Sequence, residues 1–121
     1  MDMKATTRQA GSVTIVDISG RIVLGEESAA LRELVRSLLE QGHKQILLNL
    51  AGVSYIDSSG LGSLVSAFTT VRKQGGVLKL LNLTDKADDL LQITKLYTVF
   101  EITDDEAKGI ASFGQSTAAK V

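Results

Sequence analysis

The chemistry this chain can offer is concentrated in Ile56-Asp57-Ser58-Ser59-Gly60-Leu61-Gly62, where a loop after an apolar strand enters an amphipathic helix. Asp57, Ser58 and Ser59 are three consecutive good N-caps where one suffices. The open N–H groups of a helix start, with the positive end of its dipole, favour an anion there. A serine hydroxyl at such a place is exposed, fixed in position and electrostatically tolerant of a phosphate. Gly60 and Gly62 leave the first turn bare, so the backbone of another protein can approach it. Each glycine costs roughly 0.5–1 kcal/mol of helix stability relative to alanine, which suggests a purpose other than stability. The plainer alternative stays open beside this one: a helix that is simply well capped.

Little else in the chain is placed to react. His43 is the single histidine and falls in a Gln41-Gly42-His43-Lys44 turn. No acid or nucleophile accompanies it in a known pattern, so a catalytic triad is not expected. The G-x-S-x-G elbow is absent. Gly60-Leu61-Gly62 lacks both the third glycine of a dinucleotide loop and the Lys-Ser/Thr of a P-loop. There is no cysteine, which excludes disulfides and thiolate metal sites, and one histidine argues against any bound metal. Neither a cofactor nor a catalytic residue is expected; an enzyme would need a pocket of titratable groups for which the sequence offers no set.

Positioning that helix start falls to a chain of 121 residues, the size of one ordinary domain. Apolar residues at 44% and charged residues at 22% place it in the globular class. A net charge of −1 argues against a nucleic-acid partner. No apolar stretch approaches a membrane span, and Met1–Thr6 lacks the apolar segment of a signal peptide. The expectation is a cytoplasmic protein without direct membrane contact. The oligomeric state is not legible.

With no proline and 11 glycines, breaks fall at glycines and capping residues. Residues 4–9 read as an edge strand or a frayed end. Val13–Ser19 is rich in β-branched residues, with apolar side chains at both parities, as in a strand covered on both faces. Gly20–Gly25 reads as a loop. Leu31, Leu34, Val35, Leu38 and Leu39 then form a helical stripe, stopped at Gly42. Ile46–Leu50 reads as a buried strand, and Ala51–Ser54 as a loop leading to Tyr55-Ile56. The second helix carries Leu61, Leu64, Val65, Phe68 and Val71 on one face and stops at Gly75-Gly76. Val77–Leu81 is a strand. Thr84 caps a third helix bearing Ala87, Leu90, Leu91 and Ile93. Tyr97–Ile102 reads as a final strand. Thr103 and Glu106 fit a capping box for a short last helix, and 114–121 reads as a frayed tail. The expected fold is therefore α/β: a four- to five-stranded mixed, mainly parallel sheet with an N-terminal antiparallel hairpin and about four helices, in one domain over 1–121.

The strand Ile46–Leu50 followed by Tyr55-Ile56-Asp57-Ser58-Ser59-Gly60-Leu61-Gly62 resembles the signature of the anti-sigma factor antagonists (anti-anti-sigma factors), the stand-alone STAS domains. The similarity extends over nearly the whole chain. Gly20 matches the family's glycine after its second strand, and Leu96–Phe100 its segment before the last strand. The resemblance implies a protein that binds an anti-sigma factor serine kinase when unphosphorylated, thereby freeing a sigma factor for transcription. It implies phosphorylation on the first serine of the motif, Ser58, which ends binding, and a phosphatase that resets the switch. Ser59 is the alternative acceptor, or a cap or first-turn residue. Asp57 either holds the serine hydroxyl or caps the helix. The partner surface would comprise Asp57, Ser58, Ser59, Gly60, Leu61 and Gly62, with Arg21 and Val23. Many relatives carry an acid where Val23 stands, which bears on which partner is recognised. The alternative is a non-switching STAS scaffold or a subunit of a transporter complex.

Overall fold

Val13, Ile15, Val16 and Ile18 are all buried, and the two parities serve two different layers. In a strand, alternate side chains point to opposite faces. Val16 and Ile18 join a core with Leu48, Leu80 and residues of three helices; Val13 and Ile15 join Leu47, Leu81 and Phe113 on the other face. The computed structural model describes residues 3–119, with side chains to 114. Its elements are β1 (Met3–Ala10), β2 (Val13–Ile22), α1 (Glu26–Glu40), β3 (Gln45–Ile56), α2 (Ser58–Lys73), β4 (Val77–Leu81), α3 (Asp85–Thr94), a 3-10 turn (Leu96–Thr98), β5 (Ile102–Thr103) and α4 (Glu106–Ala119). The five strands form one sheet in chain order. β1 pairs antiparallel with β2, and every later pair is parallel. Helices α1, α2 and α3 cover one face through Leu31, Val35, Leu61, Leu64, Ala87 and Leu91. Helix α4 covers the other through Phe113. The mixed sheet, its opening hairpin and the helix complement agree with the expected fold.

Four local expectations are corrected. Gly20–Gly25 is not all loop, because β2 continues to Ile22. Ala51–Ser54 is not a loop either, because β3 runs unbroken to Ile56. Both extensions come from continued β2–β3 pairing past register shifts between Asp17 and Ser19 and between Gly20 and Arg21. Gly52 makes this possible: a Cβ there would lie 2.8 Å from the Ser19 Cβ. A glycine inside a strand often marks such a close approach or bulge. The final strand is not Tyr97–Ile102. Lys95, at φ 62, turns the chain into the 3-10 turn, and only Ile102 and Thr103 pair with β4. Phe100 alone is driven inward, meeting Phe68 edge to face at 5.3 Å, while Tyr97 and Val99 stay exposed.

The capping box is also replaced. Asp105 caps α4, its Oδ1 accepting from the Lys108 N–H at 2.9 Å. Thr103 lies in β5 and accepts from the Asp105 N–H through Oγ1. Glu106 is taken by Arg8 of β1, whose guanidinium also grips Asp17 of β2 at 2.7 Å. Asn49 of β3 donates to the same aspartate at 2.8 Å. Chiefly through the Arg8 hydrogen bonds, the Asp17 and Glu106 carboxyls are held below their usual range. Buried Lys79 of β4 fastens α4 further by donating to the Ser112 carbonyl and hydroxyl oxygens at 3.1 and 2.9 Å. The α4 backbone is helical to Ala119; most side chains of the 114–121 segment expected to fray, and residues 120–121 entirely, lie outside the described residues.

Candidate functional site at the start of helix α2

The ends of β2 and β3 lie side by side, with Ile22 paired to Ile56. The chain leaves β3 at Asp57, still extended at φ −99 and ψ −178. Its N–H donates to the Ile22 carbonyl at 3.3 Å. Its side chain then does two things. Oδ1 accepts from the Gly60 N–H at 2.7 Å, which caps α2. Oδ2 accepts from the Leu24 N–H at 3.1 Å, which ties the β2–α1 loop to the helix start. Of the two roles open for Asp57 in the sequence, the structure shows the cap, and adds the clamp on Leu24.

Ser58 opens the helix as an exposed residue, and Ser59 behind it is half-buried. The Ser59 carbonyl accepts from the Ser63 hydroxyl at 3.2 Å. Ser63 is fully buried and in turn accepts from the Arg32 guanidinium at 2.9 Å. The Ser59–Ser63 side of α2 is therefore turned toward α1, whereas Ser58 is turned to the surface. No acidic residue lies in the first turn of α2 after the Asp57 cap. The Asp57 carboxylate, which takes the Gly60 N–H, is thus the one acid at this helix start, and the positive end of the dipole beyond it favours an anion while that carboxylate opposes it.

The glycines differ from each other. Gly60 is buried, and a Cβ there would come 2.0 Å from the Ile22 carbonyl oxygen. Its bareness serves the close seating of α2 on the end of β2, not the approach of another protein. Gly62 is exposed with nothing within 4 Å of an added Cβ, so it does leave open surface. Leu61 is a core residue at 4% exposure. Of the residues expected at a partner surface, Ser58, Gly62 and Arg21 are exposed; Asp57, Ser59 and Val23 are half-buried; Gly60 and Leu61 face inward.

Arg21 and Val23 are brought to this end by the extension of β2 and the clamp on Leu24. The Arg21 guanidinium stands 5.4 Å from the Tyr55 ring centre, and the Lys86 ammonium 5.5 Å from the same ring. The Val23 carbonyl accepts from both the hydroxyl and the N–H of Ser28 at 2.7 and 3.2 Å, which pins the loop onto α1. Leu24, held between these ties, points its side chain outward at 74% exposure. Leu24, Tyr55 and Lys86 were not among the expected site residues. Leu24 belongs to no periodic segment, and the Tyr55–Lys86 contact joins two elements that only the sheet brings together. Among the described residues no group of three or more His, Cys, Asp or Glu is placed to hold a metal ion.

The family model described as STAS domain matches residues 4–109. The chain belongs to the STAS domain family. This STAS domain is 36% identical over 110 residues to the anti-sigma-B factor antagonist of Bacillus subtilis (strain 168), covering 91% of this chain and 99% of that protein. Among solved structures, it is similar to an anti-sigma factor antagonist from Mycobacterium paratuberculosis, with TM-score 0.78, 15% identity and coverage of 92% and 93% of the two chains. It is also similar to the Bacillus cell fate determinant SpoIIAA in its phosphorylated form, with TM-score 0.70, 18% identity and coverage of 90% and 98%. At those identities the two structures speak for the fold. No helix among the described residues of this STAS domain is long and apolar enough to cross a membrane.

Proposed function

We propose that this STAS domain is a phosphorylation-switched anti-sigma factor antagonist. Unphosphorylated, it binds an anti-sigma factor that is also a serine kinase; phosphorylated on Ser58, it lets go. The observation that carries this is the placement of Ser58: an exposed hydroxyl on the first residue of a capped helix, with an acid-free first turn behind it. The curated relative named as an anti-sigma-B factor antagonist supports the general role. In the transfer, the Ser58 Oγ attacks the γ-phosphorus of ATP held by the kinase. The Oγ–P bond forms, the β,γ-bridging P–O bond breaks, the hydroxyl proton passes to a base of the kinase, and ADP leaves. A phosphatase then returns the hydroxyl by hydrolysis.

The physics directs the effect to binding rather than folding. A phosphate adds about −1.5 to −2 charges. The α2 dipole stabilises an exposed anion by roughly 0.3–1 kcal/mol, and the neighbouring Asp57 carboxylate opposes it. The free domain therefore tolerates the phosphate with little net change. A docked partner would have to bury an unpaired dianion, with a desolvation penalty of several kcal/mol. About 4 kcal/mol weakens binding roughly a thousandfold.

The test is mass spectrometry after incubation with the purified anti-sigma factor kinase of the same organism and ATP, with binding measured in parallel. Label is expected on Ser58. Ser58→Ala should abolish label and keep binding, and Ser58→Asp should weaken binding, though one carboxylate only partly imitates a phosphate. Label on Ser59 alone, or on a serine outside the motif, would sink the assignment. Binding without phosphate turnover would favour a constitutive scaffold.

A further inference from the structure

An exposed leucine is ordinary on a protein surface; one held rigidly beside the acceptor is not. Leu24 is 74% exposed, yet the loop that carries it is tied down at three backbone groups. Its N–H donates to Asp57 Oδ2, the preceding Val23 carbonyl takes two hydrogen bonds from Ser28, and the following Gly25 carbonyl takes one from the Ala29 N–H at 3.1 Å. The Leu24 N–H and the carbonyls of the residues on either side of it are thus engaged inside the molecule while the side chain is held out. The same carboxylate that clamps Leu24 caps the helix that Ser58 opens, so Leu24 is one hydrogen bond from the residue preceding the acceptor.

From this we infer that Leu24 is the apolar anchor by which the kinase docks. This rests on the reading of Ser58 as acceptor and deepens it by naming a binding determinant. A kinase that delivers a phosphoryl group to Ser58 Oγ must close over the start of α2, to which Leu24 is tied through the Asp57 carboxylate. Interfaces draw most of their affinity from a few residues buried at their centre, and full burial of a leucine side chain on docking stabilises by about 1.5–3 kcal/mol. An anchor already ordered in the free protein loses little freedom on docking. The partner chemistry this implies is an apolar socket next to the kinase's phosphoryl-donor site.

The experiment measures Kd of the unphosphorylated full chain for the purified anti-sigma factor kinase of the same organism, for the unsubstituted protein, Leu24→Ala, Leu24→Met and Ile93→Ala. Ile93, on α3, is the matched control at 78% exposure. Loss of most of a buried leucine side chain should raise Kd by about tenfold or more. Leu24→Met should stay within about threefold, because it keeps the apolar volume, and Ile93→Ala within about twofold. Thermal unfolding of all variants should be alike, since neither side chain is buried. If the unsubstituted chain binds and Leu24→Ala binds as tightly, or if Ile93→Ala weakens binding equally, the inference is overturned while the Ser58 reading stands. If the unsubstituted chain does not bind the kinase at all, both are overturned.

Discussion

Gly60 and Gly62 are two positions apart in the same helix turn, and the structure assigns them opposite consequences on substitution by alanine. At Gly60 the new Cβ would lie 2.0 Å from the Ile22 carbonyl oxygen, 2.8 Å from its carbon and 3.0 Å from its Cγ2. A comfortable carbon–oxygen approach is about 3.3 Å or more, so α2 or the end of β2 must move by more than about 1 Å at that point. Neither can move alone. The Asp57 N–H is bonded to that same Ile22 carbonyl, and Ile22 is paired with Ile56 within the sheet. Overpacking of this kind costs about 1–3 kcal/mol, from which at most about 1 kcal/mol of gained helix propensity is subtracted. At Gly62 the Cβ meets nothing within 4 Å, so Ala should gain about 0.5–1 kcal/mol. The two variants should therefore separate by about 1–3 kcal/mol in urea unfolding followed by circular dichroism, with m unchanged. In thermal unfolding the gap corresponds to roughly 3–6 °C per kcal/mol for a chain of this size. Equal stability of Gly60→Ala and Gly62→Ala would refute the claim that Gly60 is bare for internal packing. It would return Gly60 to the surface offered to a partner.

Two further outcomes are expected. Asp57→Ala removes the Gly60 cap and the Leu24 tie together, and should destabilise by about 1–2 kcal/mol; Asp57→Asn, which keeps an acceptor oxygen, should recover part of this, as read by the urea midpoint. Asp17 and Glu106 titrate below their unfolded-chain values because of Arg8. Their contribution to stability is thus present above about pH 4 and is lost as pH falls through the lowered folded-state values. Arg8→Gln should return the Glu106 carboxyl midpoint, followed by NMR, toward the ordinary glutamate value and flatten the acid limb of stability.

How much of this was legible depended on the range of the interactions. The stripes Leu31–Leu39 and Leu61–Val71, the double parity of Val13–Ile18, the Thr84 cap and the cap-rich Asp57–Ser59 start are all written within one or two turns of chain. Local propensity and periodicity report such features directly. So is the motif that carried the family resemblance. The lengths of β2 and β3 are not, because they depend on Ser19 meeting Gly52 and Arg21 meeting Tyr55 across the sheet. Thr103 and Glu106 spelled a capping box locally, but Arg8, at the far end of the chain, took the glutamate and left Asp105 as cap. Tyr97–Ile102 looked like a strand by composition, yet β4 pairs with only its end.

By itself, then, the sequence determined the element order, the mixed sheet, the apolar faces of α1 and α2 and the helix start at Asp57-Ser58-Ser59-Gly60. Those follow from side-chain chemistry at short spacing. Ile93, grouped with the apolar positions of the third helix, lies exposed. Only the tertiary structure decided that Gly60 packs inward and Gly62 outward, that Asp57 clamps Leu24 as well as capping α2, and that Ser58 rather than Ser59 is turned to the surface. Each of these depends on which distant carbonyl, loop or helix comes to lie against the first turn of α2, and that is set by the packing of β2 and α1 upon it.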